Sequence, residues 1–111
     1  MFFTTEPPRN VRVSDISKTA ITLSWQKPAF DGGSKITGYI VEKRDLPDDR
    51  WSKASFTNVI ETQFTVSGLT QNSRYEFRVF AKNAIGSISN PSDVVGPITC
   101  VDTYGKCFAM I

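Results

Sequence analysis

The sequence contains no histidine. That removes the commonest general base, the Ser-His-Asp and Cys-His catalytic arrangements, and most zinc sites. Cysteine is scarce: Cys100 and Cys107 are the only two, both near the C-terminus. A pair so placed cannot bridge the opposite sheets of a sandwich, and two thiolates fall short of the four ligands a structural zinc requires. Both are expected as free thiols, which favours a reducing compartment. No Asn-x-Ser/Thr sequon occurs, because Asn90-Pro91-Ser92 is spoiled by its proline. No apolar run approaches the length of a membrane span. Met1-Phe2-Phe3 lacks the charged start and continuous apolar run of a signal peptide. Charge of one sign is also lacking: 13 basic residues face 11 acidic ones, for a net +2, and they are scattered. This gives no electrostatic footprint for nucleic acid. Together these absences point to a cytoplasmic protein with neither nucleic acid nor membrane as partner.

What is present is a chain of 111 residues, 40% hydrophobic, with six prolines and seven glycines. The length suits one domain with a single core. Apolar residues recur with period two rather than 3.6, in short runs about 8–12 residues apart, which predicts an all-β chain of seven strands. The expected strands are Val11–Ile16, Ala20–Trp25, Ile36–Arg44, Trp51–Phe56, Gln63–Val66, Tyr75–Lys82 and a seventh within Asp93–Ile98. Alternation turns Ile21, Leu23 and Trp25 to one face, and likewise Tyr39 with Val41, Phe64 with Val66, and Tyr75 with Phe77, Val79 and Ala81. Leu69, followed six residues later by Tyr75, has the form of a tyrosine corner, a device of Greek-key sandwiches in which the phenol bonds a backbone group upstream. Trp25, Tyr39, Val41, Leu69, Tyr75, Phe77 and Val79 are accordingly assigned to the structural core.

The loops hold no chemistry. Asp31-Gly32-Gly33-Ser34 precedes a strand, whereas a phosphate-binding loop would open a helix, so it is read as a turn. Asp45, Asp48 and Asp49 lack the ligand spacing of a calcium loop and are read as a solvated turn. No catalytic constellation, cofactor site or metal site emerges. The outward face of the third and sixth strands is the place where function can sit. There Ile40, Glu42 and Arg44 lie beside Glu76, Arg78, Phe80 and Lys82, with Trp51 adjoining. Two readings stand. Cross-strand charge pairs contribute only tenths of a kcal/mol, which describes an ordinary solvated face. Ile40, Phe80 and Trp51 are apolar at solvent positions, and an apolar patch rimmed by charge describes a protein-binding surface.

The order and spacing of these segments resemble the fibronectin type III domain. Pro7-Pro8, Trp25, Tyr39, Val41, Leu69 and Tyr75 carry the likeness over residues 6–101, and Trp51 matches the tryptophan often found in the fourth strand. Phe80 departs from the pattern, standing where an Arg or a smaller residue is commoner. The resemblance implies a seven-stranded, immunoglobulin-like Greek-key sandwich of two antiparallel sheets, with a lead-in over 1–5 and a linker or tail over 102–111. A narrower likeness, over Pro28 to Arg44 and over Asn83-Ala84-Ile85-Gly86 with Ser89-Asn90-Pro91-Ser92, is to the A-band type III modules of the giant muscle proteins. That likeness implies a non-catalytic module of a tandem array in the sarcomere, monomeric when isolated. It would act as mechanical spacer and scaffold, with neighbouring modules, myosin and myosin-binding protein C as partners. The alternative is an extracellular adhesion or receptor module of the same family. Neither its Arg-Gly-Asp tripeptide nor a Trp-Ser-x-Trp-Ser motif is present.

Overall fold

Period-two alternation and β-branched or aromatic residues give strands throughout the computed structural model, which describes residues 5–17, 19–30 and 33–99 and the backbone of 108–109. Strands β1 (Arg9–Ile16), β2 (Ile21–Gln26) and β5 (Gln63–Val66) form one sheet in the order β1-β2-β5. Strands β4 (Trp51–Lys53), β3 (Ile36–Leu46), β6 (Arg74–Asn83), β7 (Val95–Thr99) and β8 (Phe108–Ala109) form the other in the order β4-β3-β6-β7-β8. All pairings are antiparallel. The seven expected strands are those of an antiparallel two-sheet sandwich. The expected turn residues Asp31 and Gly32, both cysteines, residues 1–4 of the lead-in and most of the tail lie outside the described residues.

β1 begins two residues before its expected start, at Arg9, and β2, β6 and β7 each end one residue later than expected; three further differences have a visible cause. β3 runs two residues further, to Leu46, because β6 begins at Arg74 and supplies it a partner. β4 stops at Lys53 rather than Phe56, because the N–H groups of Ala54 and Ser55 both turn back to donate to the Val41 carbonyl. The segment from Cys107 to Ile111, expected to have no partner, contributes β8, whose backbone pairs with Ile98 and Thr99. The outer edge of β7 has unpaired backbone groups to offer, and an added strand uses them.

The core lies between the sheets. Ile21, Leu23 and Trp25 of β2 face Tyr39 and Val41 of β3 and Tyr75, Phe77, Val79 and Ala81 of β6, all buried, with Val66, Leu69 and Ile98 closing the ends. Trp25 meets Tyr39 edge to face at 5.3 Å between ring centroids. The corner forms as its sequence predicts: the Thr70 N–H donates to the Tyr75 Oη at 2.7 Å.

Pro91 interrupts the edge before β7, and two serines replace the missing ladder. Ser89 N–H donates to the Ala81 carbonyl while Ser89 Oγ accepts from the Ala81 N–H, both at 2.9 Å. Ser92 does the same to Val79, again at 2.9 Å twice. Ser55 repeats the device on Val41 at the opposite edge. Each hydroxyl stands where a strand carbonyl would, so the backbone N–H groups of Val41, Val79 and Ala81 each keep a partner.

The chain enters and leaves at opposite poles. Arg9 at the start of β1 pairs with Gln26, and Glu6 N–H donates to the Phe30 carbonyl, at the pole where β3 begins. Thr99 at the end of β7 pairs with Arg74 and lies at the pole where β3 ends at Leu46. The body is elongated, 51 × 26 × 25 Å.

Candidate protein-interaction face

Register fixes the outward face. Antiparallel pairing sets Ile40 directly opposite Phe80, Glu42 opposite Arg78, and Arg44 opposite Glu76. On the far side of β3, Trp51 of β4 stands opposite Arg44, and Lys53 opposite Glu42. Residues directly opposite on one face have Cβ atoms about 5 Å apart, so their side chains meet.

They meet as two crossed ion pairs around an aromatic stripe. Glu42 Oε1 accepts from Arg78 Nη2 at 2.8 Å and from Arg78 Nε at 2.9 Å. Arg44 Nη2 donates to Glu76 Oε1. The Arg78 guanidinium lies 4.3 Å from the Trp51 ring centroid and 5.3 Å from that of Phe80, and the Arg44 guanidinium lies 5.3 Å from Trp51. Arg78 therefore touches three neighbours at once: a carboxylate and two rings. All of these side chains are half-buried, so each ion pair is worth at most about 1 kcal/mol and each cation–π contact about 0.5–1 kcal/mol. The stripe is held by its own ion pairs and ring contacts, with Arg44 Nε left buried and without a hydrogen-bond partner.

Every residue that the sequence placed on this face is there: Ile40, Glu42, Arg44, Trp51, Arg78, Phe80 and Lys82. Glu76, named beside them, is the partner of Arg44. What sequence reasoning missed lies at the edge. Lys53, Phe56 and Asn58 border a shallow pocket of about 120 Å³ shared with Ile40 and Lys82. Phe56, expected in a strand, is 92% exposed in the loop after β4. No pattern in the sequence signals this, since a lone apolar residue after an apolar strand reads as its continuation.

Chemically the face presents ion pairs and rings. Both carboxylates are held by guanidinium groups, and no nucleophile with an adjacent base is present on it. Asp45, expected in a loop but lying in β3, is engaged by Lys43 Nζ at 2.6 Å. Among the described residues no group of three carboxylate, thiol or imidazole side chains is placed to hold a metal ion. Among the described residues the shifted ionisation lies in the core: burial pushes the Tyr39 phenol above its ordinary 10.0.

The model of the "Fibronectin type III domain" matches residues 6–95. Titin of Drosophila melanogaster is 40% identical over 80 residues, 72% of this chain and 0% of that protein to the nearest per cent. Fast-type myosin-binding protein C of Gallus gallus is 41% identical over 87 residues, 78% of this chain and 8% of that protein. The chain thus spans at most 8% of the length of these relatives. Among solved structures, titin module A71 from human cardiac muscle superposes with a TM-score of 0.83 at 54% identity, covering 90% of this chain and 96% of that one.

Proposed function

The chain belongs to the fibronectin type III family, and from that premise we propose that it is a non-catalytic structural module of a giant tandem-repeat muscle protein. In this reading it serves as a mechanical spacer and a protein-binding scaffold of the thick filament, in the A-band of the sarcomere and so in the cytoplasm. Its partners are the neighbouring modules of the same polypeptide, myosin and myosin-binding protein C, and it is monomeric when isolated.

The observation that carries the reading is the polar geometry. Chain entry at Glu6–Arg9 and the end of β7 at Thr99, where β8 pairs, lie at opposite poles of an elongated body, so copies can be strung in line. Load then enters through β1 and, once the two-residue β8 is detached, leaves through β7, which belongs to the other sheet. Pulling along that axis loads the β1–β2 and β6–β7 ladders in shear, and survival under load depends on the unfolding rate. The likeness to modules of titin and myosin-binding protein C supports the muscle setting. The paired carboxylates of the outward face support a surface without catalysis.

The test has two parts. In a polyprotein of repeated copies pulled at its ends, each copy is expected to unfold as one discrete event, and a gradual yielding without discrete events would count against the spacer role. Co-sedimentation with myosin filaments and with myosin-binding protein C is expected to retain the domain. Recovery only in the supernatant with both would remove the thick-filament assignment.

A further inference from the structure

We infer that the corner where the β4–β5 loop meets the outward ends of β3 and β6 is a docking site for an acidic protein segment carrying an apolar side chain. This deepens the protein-binding reading above by naming the chemistry of the partner.

The anchor is Phe56. At 92% exposed it is the most solvent-accessible large apolar side chain of the described residues. Its loop is nevertheless pinned on both sides. Before it, Ala54 and Ser55 donate to the Val41 carbonyl at 2.8 and 3.2 Å, and Ser55 Oγ accepts from the Val41 N–H at 3.0 Å. After it, Val59 and Tyr39 exchange both backbone hydrogen bonds, at 2.7 and 3.2 Å. Asn58 Nδ2 donates to the Thr37 carbonyl at 2.9 Å, its amide lying across Gly38, where a Cβ would stand 2.0 Å from Asn58 Oδ1. Any side chain at Gly38 would expel Asn58. An aromatic ring held in water on a fixed backbone loses little further backbone freedom when a partner covers it, which is how binding hot spots are preorganised.

Beside the ring lies the pocket of about 120 Å³, lined in part by Ile40. A cavity of about 150 Å³ accepts benzene, so this one suits a single aliphatic side chain. Lys53 and Lys82 flank it. Glu42 and Glu76 are taken by Arg78 and Arg44, and neither Lys53 nor Lys82 forms an ion pair among the described residues. The charge left over at this corner is therefore positive, and its complement is a carboxylate on either side of the inserted apolar group.

The probe is a synthetic peptide repeating Glu-Glu-Leu, with a Lys-Lys-Leu peptide as control, titrated into the labelled domain by NMR. Expected are amide shifts centred on Lys53, Phe56, Asn58 and Lys82 with the acidic peptide alone. Phe56→Ser and the double change Lys53→Glu with Lys82→Glu are each expected to weaken binding at least tenfold while leaving the melting temperature unchanged, because the substituted side chains lie at the surface. Wild-type affinity in Phe56→Ser, or equal binding of the basic peptide, would overturn the inference. A concentration-dependent dimer in sedimentation that disappears in Phe56→Ser would overturn it in favour of a second copy of this chain. Peptide binding at Phe56 without co-sedimentation with either myosin or myosin-binding protein C would support this site and remove the filament assignment. Co-sedimentation undiminished in Phe56→Ser would do the reverse.

Discussion

The Tyr75 hydroxyl accepts a 2.7 Å hydrogen bond from the backbone N–H of Thr70, tying the end of the β5–β6 connection to the start of β6. Leu69, the residue before, is buried and donates its own N–H to the Thr19 carbonyl at 2.9 Å. The corner thus joins both sheets, since Thr19 leads into β2 and Tyr75 lies in β6. Replacing Tyr75 by Phe keeps the ring in the core and leaves the Thr70 N–H without its partner. The expected loss is about 1–2 kcal/mol. It is read as a lower urea midpoint at constant denaturant slope, and an unshifted midpoint would contradict a stabilising role for the corner.

Ser92 tests a different substitution of side chain for backbone. Its Oγ accepts from the buried Val79 N–H where a strand carbonyl would otherwise sit. Ser92→Ala removes the acceptor, and the desolvated amide costs about 1–3 kcal/mol. Ser24→Ala is the control, because the Ser24 hydroxyl bonds only Ser14 Oγ on the outer face of β2. Its expected effect is within about 0.5 kcal/mol. Chemical denaturation of the two variants side by side should separate them, and equal midpoints would refute the latch.

Much of this architecture was legible because period-two alternation survives wherever one face is buried. β2 and β6 read directly, and pairing of β3 with β6 placed the right residues on the outward face. The details that escaped have specific causes. Ser55, Ser89 and Ser92 look like ordinary loop serines, and only the fold brings each hydroxyl to a buried N–H. Which acid meets which base on the outward face depends on register, and a slip of one residue would turn these side chains to the other face. The end of β4 is decided by the Val41 carbonyl, which captures two N–H groups and turns the chain so that Phe56 leaves the sheet. That competition is tertiary and leaves no mark in the local sequence.

Tyr39 carries a pH dependence that the core imposes. Its ring packs on Trp25, its hydroxyl has no hydrogen-bond partner, and burial raises its pKa above 10.0. The unfolded chain therefore loses this proton at a lower pH than the folded domain does. The stabilising contribution is complete below the unfolded value near 10.0 and is lost as pH rises through the higher folded value. Urea midpoints measured across this range should fall with pH more steeply in the wild type than in Tyr39→Phe. At neutral pH the same variant removes an unsatisfied buried hydroxyl, so it should be neutral or slightly stabilising. A clear destabilisation at neutral pH would mean that the hydroxyl has a partner.

The Glu42–Arg78 pair separates stability from recognition on the outward face. Arg78 binds the carboxylate through two nitrogens and lies over Trp51 and Phe80, so Arg78→Ala removes contacts that Glu42→Ala leaves in place. Arg78→Ala should therefore be the more destabilising of the two. A double-mutant cycle isolates the ionic part, expected at about 0.2–1 kcal/mol for a half-exposed pair and smaller in high salt. The remainder of the Arg78 effect belongs to its packing on the rings and should persist in salt, because stacking of a guanidinium on an aromatic face is screened far less than a solvated ion pair. Equal single-mutant effects that vanish together in salt would show that the rings contribute nothing. In that outcome the stripe would be held by charge alone, and a partner's carboxylate could compete for Arg78 as readily as for Lys53 or Lys82.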